Sequence, residues 1–123
     1  MSEREKILVV DDDPAICLFC RTVLEAGGYQ VFTATTGDEG LTRADMEQPD
    51  LVVLDIMMEE VDSGFQVAER LRERRPELPI LMLSSIAGAS SQVFDTTALP
   101  VQQLIDKPIR PAALLARVQR LLA

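Results

Sequence analysis

Four groups of polar residues in this chain could act on one substrate: Asp11, Asp12 and Asp13; Asp55; Ser84; and Lys107. Adjacent carboxylates are costly to hold together, since two of them about 4 Å apart repel by roughly 4 kcal/mol at an effective dielectric of 20. A divalent cation removes that repulsion, and magnesium favours a few carboxylates completed by waters and phosphoryl oxygens. Asp55 supplies a carboxylate able to act as a nucleophile and carry a phosphoryl group as an aspartyl phosphate. Magnesium would lie between Asp12, Asp55 and a phosphoryl oxygen. The compact ammonium of Lys107 would neutralise a second oxygen, and the Ser84 hydroxyl would donate to a third. Such transfer rests on positioning and charge neutralisation. Asp13 has a simpler use as a helix cap and is assigned to it.

Each group closes an apolar, strand-like run: Ile7-Leu8-Val9-Val10 before Asp11, Leu51-Val52-Val53-Leu54 before Asp55, Ile80-Leu81-Met82-Leu83 before Ser84, and Leu104-Ile105-Asp106 before Lys107. Strands are expected at residues 6–10, 29–34, 50–55, 78–83 and 101–106, the third nearly all apolar and therefore central. Helices are expected between them. Asp13-Pro14 opens the first, with Ile16, Phe19, Cys20, Val23 and Leu24 at helical spacing, and Gly27-Gly28 stops it. Thr36 and Glu39 have capping-box spacing before a helix to about Glu47, and Ser63 and Gln66 repeat it before a helix ending near Arg75-Pro76. Residues 86–100, with Gly88, Ser90, Ser91, Thr96, Thr97 and Pro100, read as a short helix or an irregular loop. Pro111 opens the last helix, with Leu114, Leu115, Val118, Leu121 and Leu122 as its apolar stripe. Alternating strands and helices make an α/β parallel sheet with right-handed crossovers. In such a sheet ligands bind beyond the carboxyl ends of the strands, which gathers the four polar groups into one pocket.

The 123 residues suit one domain, residues 1–123, with a real core. With 20 acidic against 12 basic residues the net charge is -8, which argues against direct nucleic-acid binding or an anionic membrane and fits a binder of cations. No apolar run reaches the roughly 20 residues of a membrane span. The charged start, Met1 to Lys6, passes straight into a strand without a signal peptide, so the cytoplasm is the expected compartment. Cys17 and Cys20 have the C-x-x-C spacing of a redox pair but fall inside a helical pattern, and are read as ordinary helix residues. The chain has no histidine, so any imidazole chemistry must come from a partner.

With these residues in order, the sequence resembles the receiver domain of two-component response regulators, a family that includes the chemotaxis regulator. The resemblance rests on Ile7 to Pro14, Asp50 to Met58, Pro79 to Ser84 and Asp106-Lys107-Pro108, and covers nearly the whole chain. It implies a flavodoxin-like, doubly wound sheet of five strands in the order 2-1-3-4-5, with helices on both faces. It further implies that Asp55 is the phosphoacceptor, that Asp11 and Asp12 are the acidic pair with Asp12 the more direct metal ligand, and that the Met57 backbone carbonyl is a further ligand. Ser84 corresponds to the switch hydroxyl and Lys107 to the family lysine. The implied phosphodonor is a sensor histidine kinase or phosphotransfer protein, and a downstream protein, an output domain or a second copy of the chain is an implied partner.

Three departures accompany the resemblance. Glu59, followed by Glu60, stands where the family usually has proline, and Gly64 falls nine residues after Asp55 instead of eight. Leu104 replaces the aromatic switch residue, so an inward ring rotation gated by Ser84 cannot report phosphorylation. Leu99-Pro100-Val101 replaces the usual Gly-Ala before the fifth strand, which makes the common output face atypical. Met57 and Ile86 occupy positions that tune phosphoryl lifetime in the family, and being apolar they are expected to shield an acyl phosphate from water. Cys17 and Leu18, at positions usually charged or polar in the family, are read as exposed residues of the first helix. They are either scattered surface residues or a docking patch for a kinase or phosphotransfer helix pair.

Three other readings compete with a phosphorylatable receiver. One is a receiver-like interaction module that works without phosphate. Another is a magnesium phosphohydrolase, which usually carries a second acid two residues after its nucleophile, where this chain has Met57. The last is a flavin binder, whose phosphate three carboxylates would repel. The leading reading is a signalling switch and not a turnover enzyme.

Overall fold

The computed structural model describes residues 4–55, 63–84, 103–106 and 110–123, and for residues 63–65, 84 and 103–106 only the backbone. Its elements run β1 (Lys6–Val10), α1 (Pro14–Ala26), β2 (Gln30–Ala34), α2 (Gly37–Glu47), β3 (Leu51–Asp55), α3 (Ser63–Arg74), β4 (Ile80–Ser84), β5 (Gln103–Asp106) and α4 (Pro111–Leu122). The five strands form one sheet in the order β2-β1-β3-β4-β5, and every neighbouring pair is parallel. The expected flavodoxin-like order is therefore the observed one. The region 86–100, expected to be a short helix or an irregular loop, lies outside the described residues.

Alternation along the strands sorts the core into two layers. Leu8, Val10, Val52, Leu54, Ile80 and Met82 face one side, where they pack with Leu41 and Ala44 of α2 and Val67, Ala68 and Leu71 of α3. Ile7, Val9, Leu51, Val53, Leu81 and Leu83 face the other, with Cys17, Cys20 and Leu24 of α1 and Leu114 and Val118 of α4. The first four residues of β3 are wholly buried, as its apolar run requires of a strand covered on both faces. Burial of each such side chain contributes roughly 2 kcal/mol.

Helix ends follow their cap residues. The Asp13 carboxylate accepts the Ala15 N–H at 2.9 Å and opens α1. At the other end Gly28, with φ of +98°, closes a Schellman turn: its N–H donates to Glu25 O and the Tyr29 N–H to Leu24 O. That use of the Tyr29 N–H explains why β2 begins at Gln30 and not at Tyr29 as expected. Similarly β4 begins at Ile80 rather than at Leu78. Pro79 has no N–H for the ladder, although its carbonyl accepts the Val52 N–H at 3.1 Å. Thr36 Oγ1 accepts the Glu39 N–H at 3.0 Å, while the Glu39 carboxylate accepts the Thr35 N–H at 2.8 Å, a capping box shifted by one residue on its return bond.

Candidate functional site

Strand register brings the polar ends together. Val10 of β1 lies opposite Leu54 of β3, so Asp11 and Asp55, the next residue on each strand, come side by side. Asp55 in turn pairs with Leu83, one residue before Ser84, and Ser84 pairs with Asp106, one residue before Lys107 in sequence. The carboxyl ends of β1, β3, β4 and β5 are thus level within about one residue, as the expected pocket requires.

Carboxylate oxygens of Asp11, Asp12 and Asp55 all lie within 4.8 Å of one another. Asp11 is 0% and Asp55 1% exposed, whereas Asp12 is open to solvent. Two nearly inaccessible carboxylates and one accessible one form a hard, oxygen-rich donor set. Its number and charge fit a magnesium ion that keeps several waters. The turn that carries the first two is pinned by short bonds. The Asp13 N–H donates to Asp11 Oδ1 at 2.9 Å, and the Asp11 N–H donates to Ala34 O at the end of β2 at 3.0 Å. Asp13 itself caps α1 and stands apart from the ligand set, as its sequence position suggests.

One neighbour of this site was misjudged from sequence. Cys17 is not an exposed residue of α1; it is buried beneath the turn, and its Sγ lies 3.2 Å from the Asp11 carbonyl oxygen. Burial, and next the charge of Asp11, push the Cys17 thiol up to about 11. The signal was available in the spacing, because Cys17, Cys20 and Leu24 recur on the buried face of α1. Leu18, by contrast, is 65% exposed as expected. No disulfide joins Cys17 and Cys20.

Met57, Glu59, Ile86 and Lys107 lie outside the described residues, and Ser84 and Leu104 are described by backbone alone. Leu104 sits in β5 opposite Met82.

Residues 7–119 match the family model of the response regulator receiver domain. The chain belongs to this family. It is 40% identical, over 96% of its length, to the alkaline phosphatase synthesis transcriptional regulatory protein PhoP of Bacillus subtilis. It is also 40% identical, over 95% of its length, to the DNA-binding dual master transcriptional regulator RpaA of Synechocystis. Receiver domains of this kind belong to two-component systems and are in general not enzymes. The chain spans about half the length of these relatives, 48% in each. Its fold matches a CheY-like receiver domain protein from Methanospirillum hungatei with a TM-score of 0.86 and 32% identity, covering 98% of this chain and 94% of that one. No described helix is long and apolar enough to cross a membrane.

Proposed function

We propose that the chain is a single phosphoacceptor receiver domain, residues 1–123, and that Asp55 takes the phosphoryl group from a phosphohistidine of a sensor kinase or phosphotransfer protein. The observation that carries this is the convergence of the Asp11, Asp12 and Asp55 carboxylates within 4.8 Å at the carboxyl end of the sheet. An Asp55 oxygen attacks phosphorus, the new P–O bond forms as the P–N bond of the donor breaks, and the donor imidazole, already protonated on its other ring nitrogen, keeps the P–N electron pair and leaves neutral. Asp11, Asp12, Asp55 and the Met57 carbonyl would hold magnesium, which when bound neutralises carboxylate and phosphoryl charge. Lys107 would pair with a second phosphoryl oxygen and the Ser84 hydroxyl with a third. The absence of histidine from the chain accords with a donor imidazole supplied by the partner.

Response regulators engage histidine kinases and output domains, and both are proposed partners here. A second copy of the chain is a further one. The acidic balance and lack of a described membrane-crossing helix support a cytoplasmic role without direct binding of nucleic acid by this domain. Incubation with a small phosphodonor and magnesium tests the reading. One phosphoryl group per chain is expected by mass spectrometry, lost in Asp55→Asn and on chelation of the metal. Equal labelling of Asp55→Asn would overturn the assignment.

A further inference from the structure

We infer that Cys17 is a positioning residue of the cation pocket, its buried thiol fixing the backbone of the Asp11–Asp12 turn on which the two carboxylates are mounted. This rests on the proposed magnesium site and adds a residue outside its ligand set.

The geometry is specific. Cys17 is 5% exposed, and its S–H donates to the Asp11 carbonyl at 3.2 Å, with the Ala34 carbonyl 3.7 Å away. The same Ala34 oxygen accepts the Asp11 N–H at 3.0 Å. The Cys17 N–H reaches back to the Asp13 carbonyl at 3.1 Å, and the Asp13 N–H closes on Asp11 Oδ1 at 2.9 Å. Residue 17 therefore grips the turn at Asp11 through its thiol and at Asp13 through its backbone. It also joins the turn to the end of β2. Asp12 is exposed and lies between those two anchors, so the backbone of the turn sets where its carboxylate can go. Groups that orient ligands commonly change metal affinity by ten- to a hundredfold. A thiol is a weak donor, so a smaller effect, about three- to tenfold, is expected here.

The test is magnesium titration of the full chain by calorimetry. Two pairs of variants separate the donor from the packing: Cys17→Ser against Cys17→Ala, and Cys17→Thr against the isosteric Cys17→Val. Loss of the donor in Ala and Val is expected to weaken magnesium binding about three- to tenfold, while Ser and Thr stay within about twofold of the parent. Cys20→Ala, which removes the same volume from the same core layer, is expected to lower thermal stability and leave magnesium affinity unchanged. If one pair does not fold, the other decides. Equal affinity across a folded pair overturns the inference, as does a Cys20→Ala loss equal to that of Cys17→Ala. So does a set in which only the donor-keeping variants fold, since Cys17 would then serve the fold alone. A parent chain with no saturable magnesium binding, or Asp12→Asn binding as tightly as the parent, overturns the pocket itself and the inference with it.

Discussion

Asp11 and Asp55 bring carboxylate oxygens within 4.8 Å of each other with no more than 1% of either residue exposed. At an effective dielectric of 20 two such charges repel by roughly 3 kcal/mol. The metal-free protein therefore carries strain that its other interactions must offset. Replacing Asp55 by asparagine removes one charge and keeps the shape, so Asp55→Asn is expected to be more stable than the parent in EDTA by about 1–2 kcal/mol. Urea denaturation of both proteins measures this, and a parent more stable than Asp55→Asn in EDTA would refute it.

Magnesium should reverse the order. A ligand that binds only the folded state stabilises by about 2.7 kcal/mol at a hundred times its dissociation constant. The parent Tm is expected to rise as magnesium is added, and to do so less in Asp12→Asn, which loses the solvent-facing carboxylate of the proposed site. Sodium chloride at matched ionic strength serves as control. An equal rise with sodium would show that the ion acts by screening and not by occupying the three-carboxylate site.

Much of the site was legible because strand ends are marked in sequence by where apolar runs stop. The run from Leu51 to Leu54 placed Asp55 at the end of its strand and Asp13-Pro14 placed the helix start, although β3 begins at Leu51 and not at residue 50. One boundary was missed where a backbone group serves the preceding helix, and another where proline lacks the group a strand needs. Tyr29 reads as strand, but its N–H closes the helix before it. The reading of Cys17 failed for a different reason. Its position was judged by what relatives carry there, whereas the spacing to Cys20 and Leu24 already placed it on the buried face. Which carbonyl the thiol would meet depends on how α1 crosses the β1–α1 turn, and no local pattern encodes that crossing.

Tyr29, the single tyrosine, gives a direct optical test of the helix–strand junction. Burial, and next the charge of Glu5, raise its phenol above the ordinary value of 10.0. The folded state thus holds the phenolic proton more tightly than the unfolded chain. Its contribution to stability is fully present below pH 10 and is lost as pH rises through the folded value. Absorbance titration at about 295 nm, where phenolate absorbs, should give a higher midpoint in buffer than in concentrated urea. Coincident midpoints would mean that Tyr29 is solvated, contrary to its 8% exposure.

The Thr36 cap is expected to matter more than the ion pairs on the same helix. Arg43 and Glu47 pair at 3.4 Å near the surface, and such i,i+4 pairs contribute about 0.3–0.5 kcal/mol. Thr36→Ala removes the oxygen that accepts the Glu39 N–H and should cost about 1 kcal/mol. Because Arg43 also stands 6.0 Å over the Phe32 ring, the pair is better removed from its other side, and Glu47→Ala should cost less than half of the Thr36→Ala loss. Chemical denaturation of the two variants ranks them, and a larger loss in Glu47→Ala would refute the ranking.

Gly40 sets how closely α2 lies on β1, next to the acidic turn. A Cβ at this position would stand 2.9 Å from Val10 Cγ2 and 3.0 Å from Cγ1. Val10 is wholly buried and β-branched, so it has little freedom to turn aside. In a helix interior alanine is favoured over glycine by about 1 kcal/mol, but overpacking a core costs about 1–3 kcal/mol. The clash should win, making Gly40→Ala destabilising by roughly 1 kcal/mol. Val10→Ala alone should destabilise by about 2 kcal/mol through lost burial and a cavity. In the double variant the added methyl enters space the valine vacates, so the two losses should fall short of additive by at least about 1 kcal/mol. A double-mutant cycle by urea denaturation reads this coupling. Additivity within about 0.5 kcal/mol would mean that α2 slides outward without cost, and that its contact with β1 leaves Val10 and the adjoining Asp11 unconstrained.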